Sequence, residues 1–290
     1  MRLLLTADLH YNHPKSKSIA DDLIGRINAE VFDVLVVVGD TAVADGDSLE
    51  RCLSRFAFTG PKLIVAGNHE LWTHGDDSYT IFKSTLPERI ANLGWHWLEG
   101  NPFIVDDIAI VGSIGWYDYS FARKELGIPR RFYAAKISPG AAQRFPQFAP
   151  LFDTADDILP IAREIVARWN DGKFIKLHRD DEAFLQEILD ILHRQLASLA
   201  SMRQIVACVH HLPFRELLPP PYSAQWDFAK AFLGSERIGQ LLLAFPNVKH
   251  VFCGHSHLPM SADIGGINAV NIGSGYRWKT YKILDIPTNQ

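Results

Sequence analysis

Cysteine is scarce in this sequence, with three residues in 290: Cys52, Cys208 and Cys253. An odd number, two of them inside apolar runs, excludes a disulfide framework and reads as buried thiols in a reducing compartment. No apolar run approaches the roughly 20 residues that span a bilayer. Leu3-Leu4-Leu5 is too short for the core of a signal peptide, so a cytoplasmic protein without a membrane partner is expected. Charge of one sign is not in excess either. The 29 Lys and Arg against 33 Asp and Glu leave a formal charge of −4, which argues against coating nucleic acid through net charge alone. Internal repeats and low-complexity tracts are missing. The rest is ordinary for a globular chain, at 47% hydrophobic and 21% charged, and the length fits one large domain or one domain with an insertion.

What is present is a repeated design. Leu63-Ile64-Val65-Ala66 reads as a buried strand that Gly67 ends, and Asn68-His69-Glu70 follow at once. A core does not accept an amide, an imidazole and a carboxylate side by side without partners, which a metal or a phosphate provides. Arg2 to Ala7 likewise runs into Asp8-Leu9-His10, and Val34 to Val38 into Gly39-Asp40. Gln204 to Val209 runs into His210-His211, and His250 to Cys253 into Gly254-His255-Ser256-His257. Five apolar strands therefore end in groups of metal-ligand type. A lone Asp-x-His at a strand end is more often a cap than chemistry; five such blocks in succession reverse that reading.

Between the strands, helical spacing covers Ile19 to Val31 after a loop at Asn12 to Ser16, and Leu49 to Phe58 forms a second short helix. Strand alternating with helix, with continuous apolar strands, predicts an α/β fold whose parallel strands are covered on both faces. Ligands in such sheets bind beyond the carboxyl ends of the strands. Trp95 to Leu98, Pro102 to Val105 and Ile108 to Gly112 are further strands, with Asp106-Asp107 as a hairpin turn. Residues 113 to about 150 are broken by Gly and Pro. Two helices are then expected, Asp156 to Trp169, and a longer one that Asp180-Asp181 cap and that carries Leu185, Ile188, Leu189, Leu192, Leu196 and Leu199 on one stripe. A helix at Ser235 to Ala244 and strands at Met260 to Asp263, Ile267 to Ile272 and Lys279 to Leu284 complete the chain.

Asp8-x-His10 and His255-x-His257 place both members on one side if the backbone is extended. Carboxylate, imidazole and amide oxygen together suit Mn, Fe, Zn, Co or Ni, and the lack of a Cys ligand argues against a closed structural zinc site. Asp8, His10, Asp40, Asn68, His210, His255 and His257 are more ligands than one ion needs, whereas two ions sharing a carboxylate use them all. The His210-His211 pair leaves open which imidazole meets metal; His210 is favoured.

These five blocks, in this order across nearly the whole chain, resemble the calcineurin-like metallophosphoesterase superfamily. The resemblance implies a four-layer fold, two mixed sheets packed together and flanked by helices, as a single domain over 1–290 with a mainly helical insertion at 113–202. It implies a two-metal centre in which Asp40 bridges. Asp8, His10, Asp40 and His257 would hold one divalent or trivalent ion, and Asp40, Asn68, His210 and His255 the other. A hydroxide between ions about 3.5–4 Å apart would attack phosphorus. His69 would stabilise charge or protonate the leaving oxygen, with Glu70 orienting it, and Gly273-Ser274-Gly275 resembles the family's closing turn.

Fold and metals do not fix the substrate. The segment 113–202 carries Trp116-Tyr117-Asp118-Tyr119-Ser120-Phe121 and then six cations (Arg123, Lys124, Arg130, Arg131, Lys136, Arg144) against Glu125 alone. Aromatics beside bases suggest either a lid gripping a phosphorylated molecule, with Arg130 and Arg131 on its phosphate, or a solvated face over core aromatics. The leading expectation is a phosphoesterase acting on a small mono- or diester. A nuclease acting on DNA or RNA, and a catalytically silent scaffold, are the alternatives.

Overall fold

The computed structural model of the protein describes residues 1–75 and 77–287. Strand β1 spans Arg2–Thr6, β2 Val34–Val38, β3 Lys62–Val65, β4 His96–Trp97, β5 Phe103–Val105 and β6 Ile108–Ser113. After a long segment follow β7 (Gln204–Val209), β8 (Val248–Cys253), β9 (Met260–Ile264), β10 (Ile267–Asn271) and β11 (Tyr281–Asp285). Two sheets result, one ordered β11-β1-β2-β3-β4 and the other β5-β6-β7-β8-β10-β9. Parallel pairing dominates both, with antiparallel edges at β11, β5 and β9.

The strands show why both sheets are apolar on two faces. Leu3, Leu5, Val34, Val36, Val38, Leu63 and Val65 face Ile108, Ile110, Val206, Cys208 and Phe252 in the interior between the sheets. The alternate residues Leu4, Leu35, Val37 and Ile64 meet the outer helices, including Leu23, Ile24 and Ile27. Each such side chain contributes roughly 1.5–3 kcal/mol by leaving water. The sandwich interior therefore fixes where each strand ends.

The helices depart from expectation at their ends. The first runs Pro14–Ile27, earlier than Ile19, because His13 Nδ1 accepts the Lys15 amide at 3.2 Å and Pro14 suits the opening turn. Its early stop leaves Val31 83% exposed. The second is only Ser48–Leu53, whereas the helices at Asp181–Ser198 and Glu236–Leu243 lie within two residues of expectation. Asp180 caps the former by accepting the Ala183 amide at 2.7 Å.

The expected helix Asp156 to Trp169 does not form. Pro160–Glu164 makes a short turn of helix, and Ile165 then adopts extended backbone. Arg168 bridges Ile137 as in an antiparallel pair. Ser138 Oγ donates to the Ile165 carbonyl at 2.5 Å, and the Ala167 amide donates to it at 2.9 Å. These tertiary partners for the 165–168 backbone outcompete helical hydrogen bonds within it. Among the described residues no helix is long and apolar enough to cross a membrane.

Candidate metal centre

The carboxyl ends of β1, β2, β3, β7 and β8 bring the seven candidate ligands together. The backbone there is not extended, contrary to the expectation for the two-residue spacings. Asp8 (φ 55°), His10 (44°), Asp40 (54°), His255 (69°) and His257 (59°) are all left-handed. Such residues cost energy and persist where the surroundings over-determine them. Here the ladder continues past the strands and holds the corners: the Asp8 amide donates to the Gly39 carbonyl at 3.0 Å and His10 to Asp40 at 2.8 Å. Gly67 allows close approach, since a Cβ there would lie 2.1 Å from Asp40 Oδ1 and 2.6 Å from His210 Nε2.

Two groups emerge. One ligand atom from each of Asp8, His10, Asp40 and His257 lies within 4.8 Å of the others, and the same holds for Asp40, His210 and His255. Asp40 turns one oxygen to each group, Oδ2 lying 3.8 Å from His10 Nε2 and Oδ1 3.4 Å from His210 Nε2. His10 Nε2 and His257 Nε2 approach to 2.9 Å, the spacing of neighbouring ligands at about 2.1 Å from one ion.

Several buried atoms here have no protein partner: Asp8 Oδ2, Asn68 Oδ1 and His210 Nε2. Unpaired buried polar atoms are costly, and oxygens and imidazole nitrogens of this kind are what a metal takes. The outer atoms are already engaged. His210 Nδ1 donates to the Val38 carbonyl at 2.9 Å and His255 Nε2 to that of Phe232 at 3.2 Å, leaving His210 Nε2 and His255 Nδ1 to bind. Asn68 Nδ2 donates to Asp171 Oδ1 at 2.8 Å. His211 is also wholly buried, its Nδ1 donating to the Ile114 carbonyl at 2.8 Å and its ring 4.3 Å from that of His255. It belongs to neither group.

Electrostatics divide the imidazoles of the donor set. Burial lowers His10 and His255 and brings His257 to about 4, keeping them in the neutral, ligating form. Burial also opposes charge on His210, but the Asp40 carboxylate outweighs it and raises His210 to about 9. Asp8 is pushed up to about 7 by burial, which a cation would offset. Lys279, unremarked in the sequence, donates from Nζ to the Asp8 carbonyl, and burial lowers it to about 8.

Glu70 does not orient His69, as the resemblance had implied. Its carboxylate accepts the amides of Asp40 (3.0 Å), Thr41 (2.5 Å), Ala42 (3.3 Å) and Gly67 (2.7 Å), so it knots the β2 and β3 corners together. His69 stacks instead on Trp72, centroids 3.8 Å apart, with Nε2 3.9 Å from Asp40 Oδ2; burial lowers its pKa.

Over the centre lies a cavity of about 230 Å³, lined among others by Asp40, His69, Trp72, Trp169, His255 and Tyr276. Arg168, Asn170 and Trp226 also reach it. Four of the six cations expected at a lid are elsewhere engaged. Arg130 pairs with Glu182, Arg131 with Asp157 at 2.5 Å, Lys136 with Asp181 at 2.6 Å and Arg123 with Asp227 at 2.6 Å. Trp116 and Tyr117 are fully buried. The 113–202 segment thus meets the site through residues 168–171, of which Arg168 and Trp169 end what reads as a helix from sequence. Tyr276, stacked on His10 at 4.5 Å, was signalled only by its place beside the Gly273-Ser274-Gly275 turn.

A family model described as calcineurin-like phosphoesterase matches residues 1–259. No curated protein matches the chain in sequence. Among solved structures, the phosphopantetheinyl hydrolase of Mycobacterium tuberculosis is 21% identical with a TM-score of 0.66, over 95% of this chain and 89% of that one. A dimetal phosphatase from Danio rerio is 16% identical with a TM-score of 0.53, over 94% and 87%. Both likenesses are of fold, and the two mixed sheets flanked by helices are common to them and to this chain.

Proposed function

We propose, because the chain belongs to the calcineurin-like phosphoesterase family, that it hydrolyses a small phosphate mono- or diester. The observation that carries the small-molecule reading is the cavity over the two clusters, about 230 Å³ and walled by Trp72, Trp169, Trp226, Leu233 and Tyr276. That volume takes a phosphoryl group and part of a leaving group, and its walls favour a planar or apolar one. Asp8, His10, Asp40 and His257, and Asp40, Asn68, His210 and His255, would hold one metal ion each, and ions bound there would supply Lewis-acid stabilisation of phosphoryl charge and lower the pKa of a water.

The protein's own groups do the rest. His69, kept neutral by burial, can offer an N–H to the phosphoryl or leaving oxygen, and its stack on Trp72 fixes the ring. Arg168 is exposed at the rim, over the Phe145 ring at 5.0 Å and paired with no carboxylate among the described residues. It is placed to meet a second anionic group of the substrate. Trp169 lies flat on Phe232, interplanar angle 6°, and holds the cavity wall rigid.

The test is a panel assayed with Mn²⁺: an aryl phosphate, a bis-aryl phosphodiester, a phosphopantetheinyl ester and single-stranded DNA. The likeness to a protein named a phosphopantetheinyl hydrolase motivates the third member. Turnover of small esters, abolished by a chelator, is expected, with DNA left intact. Cleavage of DNA without turnover of small esters would establish the nuclease reading, and no hydrolysis of any member the scaffold reading.

A further inference from the structure

Asp171 lies in the long segment between β6 and β7, more than a hundred residues from the strand end that carries Asn68. It is fully buried, yet it is neither a candidate ligand nor part of the cavity wall. Its two oxygens accept four hydrogen bonds. Oδ1 takes Asn68 Nδ2 at 2.8 Å and Trp72 Nε1 at 2.7 Å. Oδ2 takes Trp169 Nε1 at 2.7 Å and the Tyr117 hydroxyl at 3.0 Å. The donors come from the loop after β3, the chain after β6 and the segment just before Asp171 itself.

This arrangement decides which way the Asn68 amide faces. Two indole N–H groups can only donate, and they fix Asp171 as the acceptor. An Asn68 flipped by 180° would set its carbonyl oxygen against a carboxylate oxygen and lose the bond. The amide nitrogen must therefore point at Asp171. Asn68 Oδ1 then points the other way, buried and without a protein partner. A negative acceptor behind the amide N–H also raises electron density on the amide oxygen, making it a better donor to a cation.

We propose that Asp171 is a positioning residue that, through the Asn68 amide, fixes Asn68 Oδ1 as a ligand in the Asp40, His210 and His255 group. The inference rests on the reading of Asn68 as a metal ligand. It gives the long segment a part in completing the metal centre, beyond covering it.

The experiment compares Mn²⁺ content of the full chain, after equilibration over graded Mn²⁺, for a Trp72→Phe parent and three variants built on it. Without the Trp72 N–H on Oδ1, an Asn at position 171 turns its carbonyl to Trp169 and Tyr117 and its NH2 to residue 68. Asp171→Asn replaces one acceptor oxygen by a donor of the same shape. It is expected to bind one ion like the parent and the second roughly 10–100-fold more weakly. Asn68→Asp combined with Asp171→Asn restores one N–H···O bond in the opposite direction and keeps an oxygen toward the metal. It should recover the second ion at about the parent's affinity. Tyr117→Phe removes a donor to Asp171 without touching Asn68, and should bind both ions like the parent. A role in packing alone would instead make Tyr117→Phe behave like Asp171→Asn, and would give no recovery in the exchanged pair. Two ions bound with parental affinity by Asp171→Asn would overturn the proposal. If that variant does not fold, the exchanged pair decides, two ions supporting it and one ion sinking it. A parent that binds only one ion would refute the reading of Asn68 itself, an outcome separate from any difference among the variants.

Discussion

Five of the candidate ligands occupy left-handed backbone, a conformation worth roughly 1–2 kcal/mol of strain for a residue with a Cβ. The donor atoms need it: leaving the strand in a sharp corner turns successive polar side chains back over the sheet end. The Gly67 amide is tied into the same corner by Glu70. Gly67→Ala would push a methyl into Asp40 and His210, the carboxylate shared by both groups and a ligand of one. The expected result is at least about 10-fold weaker metal binding at one or both positions, with activity falling in parallel and the sheets still folded. Metal analysis beside circular dichroism checks this, and unchanged metal content would show that the corner can yield. At this scale the sequence was informative about which residues matter, because five polar blocks directly after apolar strands point to one shared site where a single block would read as a cap. It said nothing of their backbone. The two-residue spacing of Asp8 and His10 fits extended and left-handed chain alike.

Among the elements, the Asp181–Ser198 helix shows how two adjacent aspartates divide their work. Asp180 is exposed and caps the first turn. Asp181 is buried and accepts Trp116 Nε1 at 2.9 Å, the Tyr119 hydroxyl and Lys136 Nζ at 2.6 Å. Asp180→Ala should cost about 1 kcal/mol, as the loss of one cap. Asp181→Ala leaves a nearly buried ammonium and two ring donors unpaired and should cost about 3–5 kcal/mol. Urea unfolding of the two variants measures the difference, and equal losses would contradict the assignment. Read from sequence, both aspartates are plausible caps, and only the fold distinguishes them. The helix itself was legible because its leucine stripe, Leu185 to Leu199, repeats over about four turns. Asp156 to Trp169 offered a similar composition with too little periodic length, and Ser138 drew its second half into extended chain. A weak local preference gave way to partners that lie close in space but some thirty residues back in sequence.

For the molecule as a whole, the metal centre is a joint among both sheets, because Asp8, Asp40 and Asn68 come from one and His210, His255 and His257 from the other. Ions bound there hold the folded state and not the unfolded chain. At a free concentration 100 times the dissociation constant, each should add about 2.7 kcal/mol of stability. With a shift of roughly 2–4 °C per kcal/mol, Mn²⁺ should raise the melting temperature several degrees and a chelator should reverse it. A melting temperature indifferent to both would argue that the two sheets are already locked without ions. The sandwich was legible from its apolar strands, whereas the path of residues 113–202 was not, since much of it is fixed by partners far off in sequence, as where the Thr73 amide donates to the Phe174 carbonyl at 3.0 Å. One of those contacts bears on how such proteins could be recombined. With Asp171 gripping Asn68, the long segment is not a detachable module. Transplanting a relative's version of it onto these sheets would bring a new cavity wall but leave the Asn68 amide free to turn. A working chimera would have to carry the Asn68–Asp171 pair across the graft as one inherited unit.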